Sequence, residues 1–132
     1  MEVKVKKILI ISIVLLMTVF SAGCGRMKEL RETREMEIDD VDLSTVADGN
    51  YRGYYTYAGI EVGVEVQVRD HRIERIAVLK AYTTTKQSKE AAAIVDTVIA
   101  RQSLAVDVIS GATTSSKAYL KAMENALKEG IE

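Results

Sequence analysis

The stretch that decides the fold is residues 61–69, which read Glu-Val-Gly-Val-Glu-Val-Gln-Val-Arg. Valine at every second position, with mostly polar residues between, is the pattern of a strand that buries one face. Residues 73–79 form a second run rich in β-branched residues, with apolar side chains on both faces. Asp70 and His71 lie between the runs, which predicts a hairpin closed by a two-residue turn. Because His tolerates left-handed backbone geometry better than most residues, His71 is interpreted as an exposed turn residue and not as a catalytic group.

The segments on either side of this hairpin extend the domain. Before it, the Tyr-rich residues 51–57 predict another strand, and residues 58–59, Ala-Gly, predict the tight turn that follows. After it, residues 87–101 carry an apolar repeat of 3.6 residues, which predicts a helix with Ser88 as its N-cap. The Thr run at residues 83–85 is expected to form the loop before this helix and is a weak candidate for contacting a ligand.

Three shorter predictions complete the order of elements. Residues 43–47 are expected to form one helical turn, and residues 104–109 a short buried strand. Residues 117–127 carry an apolar stripe at helical spacing and predict the last helix. Strands, helix, short strand and helix in this order indicate an α+β domain, with a small antiparallel sheet and two main helices packed on one face.

The turn before the last helix is dense in hydroxyl groups. Residues 107–116 read Asp-Val-Ile-Ser-Gly-Ala-Thr-Thr-Ser-Ser, and five of the seven residues from Ser110 to Ser116 carry a hydroxyl. Gly111 permits a positive φ and a close approach to the backbone, and Ala112 adds almost no bulk. At a helix N-terminus, free N–H groups and the positive end of the dipole favour an anion such as phosphate. A Ser or Thr that only caps the helix is an equally good interpretation of these residues.

Residues 107–113, Asp-Val-Ile-Ser-Gly-Ala-Thr, resemble the flavinylation motif Asp-x-x-Ser-Gly-Ala-Thr of FMN-binding domains. These domains occur in the C subunit of sodium-translocating NADH:quinone oxidoreductase, in the G subunit of Rnf-type complexes and in many small lipoproteins. The resemblance runs from about Asp48 to Gly130 and includes residues 48–53, Asp-Gly-Asn-Tyr-Arg-Gly, at the entry to the first strand. It implies a membrane-anchored flavoprotein electron carrier outside the cytoplasm, without a substrate or catalytic residue of its own.

In that family the last Thr of the motif carries FMN through a phosphoester bond, and the matching residue here is Thr113. The resemblance implies that a separate, Mg²⁺-dependent flavin transferase attaches the FMN, with FAD as donor. It also implies a redox partner, either a quinone reductase or similar protein in the membrane or an extracellular reductase. Covalent attachment would keep the flavin from being lost to a dilute exterior.

The other residues predicted to bind the cofactor belong to the same turn and the first helical turn: Asp107, Ser110, Gly111, Ala112, Thr114, Ser115 and Ser116. The backbone N–H groups of residues 114–116 are expected to hold the remaining phosphate charge, with hydroxyls adding hydrogen bonds. Asp107 is expected either to fix the loop by accepting backbone N–H bonds or to be recognised by the transferase. Five tyrosines are candidates for walling the isoalloxazine ring, although packing within the sheet is the alternative for most of them: Tyr51, Tyr54, Tyr55, Tyr57 and Tyr82.

The N-terminus has the pattern of an export signal. Three lysines within residues 4–7 precede an uncharged apolar run of 13 residues, 8–20. The run is shorter than the roughly 20 residues of a spanning helix and fits a signal peptide. Residues 21–24, Ser-Ala-Gly-Cys, resemble a lipobox, in which Cys24 is lipidated and begins the mature chain, although Ser21 stands where Leu is usual. A plain signal peptide or an uncleaved anchor is the alternative.

The segment after Cys24 is rich in charge, since ten of the fifteen residues 26–40 are Arg, Lys, Glu or Asp. It is interpreted as a solvated, partly helical spacer that is too polar to pack a core. The expected organisation is a signal peptide at 1–23, a charged spacer at 24–47 and an FMN-binding domain at 48–132. The expected location is the outer face of the cytoplasmic membrane or the periplasm, with the lipid as anchor.

Composition excludes several classes of function. The formal net charge is −1, and it becomes −3 without residues 1–23, so the chain lacks the basic surface that nucleic-acid binding requires. One Cys and one His cannot supply an iron–sulfur cluster, a c-type haem or a structural zinc site. If the protein carries electrons, an organic cofactor must hold them.

Two other functions fit parts of the sequence. A non-redox lipoprotein could hold an anion or a ligand at the hydroxyl-rich turn without a covalent bond. A hydrolase with a Ser or Thr nucleophile is disfavoured, because the chain has no suitable His base and no Gly-x-Ser-x-Gly sequence. Flavin that survives denaturation distinguishes the electron carrier from the anion-binding lipoprotein.

Overall fold

The computed structural model describes residues 1–81 and 85–132, and of residues 19–22 only the backbone. Within these ranges, three antiparallel strands form one sheet in the order β1-β2-β3, and the fold is α+β as predicted. The predicted turn at 43–47 is a 3₁₀ turn, Leu43–Thr45. The elements in chain order are α1 (Glu2–Glu35), β1 (Gly49–Tyr57), β2 (Ile60–Arg69), β3 (Arg72–Lys80), α2 (Lys86–Ala91), α3 (Ile94–Arg101) and α4 (Thr113–Lys128).

The central strand β2 confirms the alternation in the sequence. Its four valines, Val62, Val64, Val66 and Val68, are at most 3% exposed. Both two-residue turns are also confirmed, because all four of their residues have positive φ: Ala58, Gly59, Asp70 and His71. The His71 side chain is exposed, with Nδ1 at 3.3 Å from the carbonyl oxygen of Val46.

Strand β3 has apolar side chains on both faces, as its sequence indicated, but it buries only one of the two faces. Ile73 and Ile76 are buried, whereas Val78 and Leu79 are 41% and 44% exposed. The pairing passes from Gln67–Arg75 to Val68–Ile73, which leaves Glu74 as an extra residue in β3. This bulge turns Ile73 and Ile76 to the same face although they are three residues apart.

The predicted helix 87–101 is wrong in detail, because the structure has two helices, α2 and α3. The N-cap is Thr85 and not Ser88: the Thr85 hydroxyl accepts the N–H of Ser88 at 3.1 Å, and Ser88 is buried inside the first turn. Ala92 and Ala93 between the helices keep helical dihedrals, so Ala91, Ile94 and Val98 still share the core face. Residues 83–84 and Tyr82 lie outside the described residues.

The predicted strand at 104–109 is also wrong. The segment is a loop in which only Leu104 is fully buried. Described side chains, and not a neighbouring strand, accept three of the backbone N–H groups in this segment. Asp40 Oδ1 accepts that of Leu104 at 2.9 Å, Ser103 Oγ that of Ala105 at 3.0 Å, and Ser116 Oγ that of Ile109 at 3.1 Å. The loop leads directly into α4.

Helix α4 covers β1 and β2 and forms most of the helical side of the core. Three alanines along it, Ala118, Ala122 and Ala126, are fully buried. Opposite them, Gly53 of β1 comes so close that an added Cβ would overlap Ala122 O and Ala126 N and lie 2.9 Å from Ala126 Cα. The small residues therefore set the distance between helix and sheet.

The charged spacer is only partly solvated. As expected it is helical, since α1 continues to Glu35, but its last turns contact the domain. Thr33 is 1% exposed, and its Oγ1 lies 3.1 Å from Tyr55 Oη. Nearer the start of the spacer, the Glu29 carboxylate accepts the backbone N–H of Ala58. Charged and uncharged side chains of the spacer therefore both dock this helix on the domain.

The N-terminal part of α1 makes the helix long and apolar enough, by length and composition, to cross a membrane. A signal sequence near an N-terminus satisfies the same test. The helix is therefore consistent with an export signal or with membrane association. Cys24 lies within it and is exposed.

A buried carboxylate connects α4 to the residues that follow α1. Glu124 is fully buried, accepts hydrogen bonds from Lys121 Nζ at 2.8 Å and from Lys128 Nζ, and accepts the backbone N–H of Asp39 at 3.1 Å. Burial acts to raise the pKa of Glu124, but the hydrogen bonds from Lys121, Lys128 and Asp39 outweigh it and hold that pKa below its ordinary value.

We expect acid to destabilise the domain through Glu124. A carboxylate with a depressed pKa in the folded state contributes stability that is complete above its unfolded-state pKa and is lost as the pH falls through the folded-state value. At neutral pH, Glu124→Gln should lower the free energy of unfolding by about 2 kcal/mol, since it leaves Lys121 without a carboxylate and takes one of two carboxylates from Lys128, which keeps its bond to Asp39. Urea titrations between roughly pH 7 and pH 3 should show a smaller pH dependence for Glu124→Gln than for the exposed control Glu129→Gln. Equal pH dependence in the two variants would contradict this assignment.

Candidate functional site

The hydroxyl-rich turn is the N-terminus of α4, and no side chain of the described residues caps it. The N-cap residue is Ala112, with φ −131° and ψ 36° and no side-chain cap hydrogen bond. Thr113, Thr114 and Ser115 form the first helical turn and are half-buried. The plain Ser/Thr cap that the sequence also allowed is therefore wrong.

The free backbone donors lie at Thr113, Thr114 and Ser115. Within the described ranges, none of these three N–H groups has an acceptor, as expected for the first residues of a helix. Ser116 differs, because its N–H donates to Ala112 O at 2.9 Å. The free N–H groups are thus those of residues 113–115 and not the set 114–116 that the sequence predicted.

Ser116 has a structural role instead. It is fully buried, and its Oγ accepts the N–H of Ile109. A second bond, from Ala112 N–H to Ile109 O at 2.9 Å, closes the turn between them. Gly111 sits inside this turn with φ 78°, as predicted, and a Cβ added there would meet no atom within 4 Å. The turn is therefore held tightly and leaves its backbone open to an approaching group.

An open cavity of about 440 Å³ lies at this helix end. Residues 111–115 form one wall of the cavity, and Arg34 of α1 and Gln87 of α2 complete its lining. Sequence reasoning missed both, because each reaches the turn only through the packing of another helix. For Arg34, the only signal in the sequence was its positive charge, which it shares with several other residues of the spacer.

Three residues predicted to bind the cofactor do not line this cavity. Ser116 is buried beneath the turn, and Ser110 and Asp107 are exposed on the loop before it. The Asp107 carboxylate accepts no hydrogen bond from any described residue, so it does not fix the loop in the way that was expected. The other expected role of Asp107, recognition by the transferase, stays a prediction.

The described tyrosines are used mainly in packing. Tyr51 Oη donates to Ala47 O at 2.7 Å, and Tyr55 and Tyr57 stack with ring centroids 6.0 Å apart. Tyr54 is 46% exposed. None of these four lines the cavity at α4, which supports the packing alternative for the buried ones.

The sequence model of one protein family, described as the FMN-binding domain, matches residues 57–128. The chain belongs to the FMN-binding domain family. The match covers β2, β3, the helices α2–α4 and the whole hydroxyl-rich turn. No curated protein matches the chain.

Membership in the FMN-binding domain family makes this a flavin-binding protein. The described residues fit the terminal phosphate of FMN. Among them, three N–H groups and several hydroxyls without partners, an open glycine and the residue Arg34 line a single cavity. The family match begins at residue 57, so Arg34 lies outside it.

Proposed function

We propose that this FMN-binding domain is an electron carrier outside the cytoplasm, with FMN bound covalently through a phosphoester to Thr113. The observation that carries the proposal is the uncapped N-terminus of α4, where Thr113 is the first helical residue and lines the cavity. A helix of 16 residues that begins without a cap leaves its positive end available to an anion.

The proposed roles of the residues follow from their positions. The Thr113 hydroxyl oxygen carries the phosphoester, and the N–H groups of residues 113–115 hold the one negative charge left on the phosphate. Gly111 lets the phosphate approach the backbone. When bound, FMN supplies one- and two-electron redox chemistry that no side chain of this protein supplies.

Attachment requires a second protein. The single histidine, His71, lies in the β2–β3 turn beside Val46 O, so it is not placed to activate Thr113. We propose a Mg²⁺-dependent flavin transferase that recognises Asp107 on the exposed loop. The Thr113 hydroxyl oxygen bonds to the FMN phosphorus of FAD, the pyrophosphate bond breaks, AMP leaves and the hydroxyl proton is released. Electrons would pass between the domain and a membrane redox partner, such as a quinone reductase, or an extracellular reductase.

The test is to produce the full chain with and without a flavin transferase and to denature it completely. A fluorescent band on a denaturing gel, and a flavin spectrum that remains with the unfolded chain, are expected only with the transferase. An unlabelled chain beside a transferase that labels a known substrate would contradict the proposal. The non-redox, anion-binding lipoprotein would then explain the site better, since its ligand is released on unfolding.

We further propose that the protein is held at the membrane by lipid on Cys24. The support is the lysine-rich start of the chain, the apolar first half of α1 and the exposed position of Cys24. Because a single acyl chain binds membranes only weakly, stable anchoring would require more than one chain.

We expect cells grown with a fatty-acid analogue to label the wild-type protein and not Cys24→Ala. The variant should also remain as the longer, uncleaved chain, because the lipobox cysteine is the residue before which cleavage occurs. Labelling is measured on the purified protein, and chain length by intact mass. Equal labelling of both proteins, or of neither, would contradict lipid attachment at Cys24.

A further inference from the structure

We propose that Arg34 is a binding residue for the phosphate of FMN, so that the end of the spacer helix is part of the cofactor site. The inference rests on the proposed attachment of FMN at Thr113. It is carried by the cavity at the N-terminus of α4, whose wall includes Arg34 although this residue lies 79 positions before Thr113 and outside the family match.

Contacts on both sides of Arg34 hold it at the cavity. One residue before it, Thr33 is buried and bonded to Tyr55 Oη at 3.1 Å. Two residues after it, the carbonyl oxygen of Met36 accepts Lys117 Nζ at 2.8 Å, which joins the end of α1 to α4 itself. The backbone that carries Arg34 is therefore fixed to the sheet and to the helix that begins at the site.

The charge of Arg34 is available to a ligand. Within the described residues its guanidinium has no carboxylate partner, and it is the one cationic side chain on the cavity wall. Lys117, a cation of the adjoining α4, is already bonded to Met36 O. A guanidinium matches a phosphate group in charge and in the planar geometry of its donors, and it complements the N–H groups of residues 113–115.

The test uses the full chain, produced with limiting flavin transferase and purified in detergent. Three variants are compared with the wild type: Arg34→Gln, Arg34→Lys and the control Arg31→Gln, which removes an exposed arginine of the same helix that does not line the cavity. The readouts are the flavin-to-protein ratio after denaturation and the phosphorus-31 resonance of the attached FMN in the folded protein.

We expect Arg34→Gln to move the phosphorus-31 resonance and to lower flavin loading by about two- to fivefold, since Arg34 is exposed and exposed charge pairs contribute little. Arg34→Lys should change the loading and the resonance less than Arg34→Gln does. High salt should reduce the difference in loading between Arg34→Gln and the wild type. Arg31→Gln should match the wild type. If Arg34→Gln also matches Arg31→Gln in loading and resonance, this inference is overturned while the proposed function stands. If the wild type itself carries no flavin, the proposed function fails and the inference fails with it.

Discussion

Replacing Gly53 by Ala should destabilise the domain by about 3 kcal/mol or more, enough to unfold a protein of marginal stability. The added Cβ would collide with Ala122 O and with Ala126 N and Cα, which are backbone atoms of α4. Backbone atoms within a helix cannot rotate away from the added Cβ as the end of a flexible side chain can. To accept the methyl group, α4 must move away from β1, and the packing of its buried alanines would be lost.

A matched control is Gly63→Ala in the neighbouring strand. A Cβ at Gly63 would meet the ring of Tyr54 at 2.6 Å, but this ring is 46% exposed and is free to turn outward. We expect a change of less than about 1 kcal/mol, since Ala also favours the strand over Gly. Urea unfolding followed by circular dichroism measures both variants. Equal stabilities for Gly53→Ala and Gly63→Ala would show that α4 does not lie on β1 as described.

Replacing Thr113 by Ala should abolish covalent flavin completely and leave the fold intact. Thr113 is not the N-cap, and its hydroxyl has no hydrogen-bond partner among the described residues, so Ala should change the free energy of unfolding by about 1 kcal/mol at most. Visible absorbance of the denatured protein measures the flavin, and circular dichroism of the native protein measures the fold.

The adjacent Thr114 provides the control for register. It shares the first turn of α4 and the same cavity, so Thr114→Ala alters the surroundings equally but should keep the flavin. Flavin that survives in Thr113→Ala and disappears in Thr114→Ala would move the attachment by one residue. Loss from both variants would mean that the turn has to be intact for attachment and that neither residue is identified by loading alone.

The sequence predicted the sheet well because the alternation within a strand and the dihedral angles of a tight turn depend on residues that are close together in the chain. The valines of β2 must face one side, and the residues at both hairpin turns adopt positive φ. The bulge at Glu74 could not be predicted in this way, since it depends on the register between β2 and β3. The same limit applies to residues 104–109, where an apolar run has the composition of a strand but pairs with no described strand.

Predictions about helices failed where tertiary contacts determine the end of a helix or the position of its side chains. Ala92 and Ala93 interrupt the helix without Gly or Pro, and the apolar repeat continues through them, so the sequence has no sign of the break. At the candidate site, the motif predicted the helix end and Gly111 correctly. It could not predict Arg34, which reaches the cavity only because Thr33 and Met36 dock α1 on the domain.

The central claim is that Thr113 carries FMN, and peptide mass spectrometry tests it most directly. Trypsin cleaves after Arg101 and Lys117, so one peptide, residues 102–117, contains every hydroxyl of the motif. For protein made with an active flavin transferase, we predict that this peptide is heavier by one FMN less one water and that its fragment ions place the addition on Thr113. An unmodified peptide, or an addition on any other Ser or Thr, would contradict the claim.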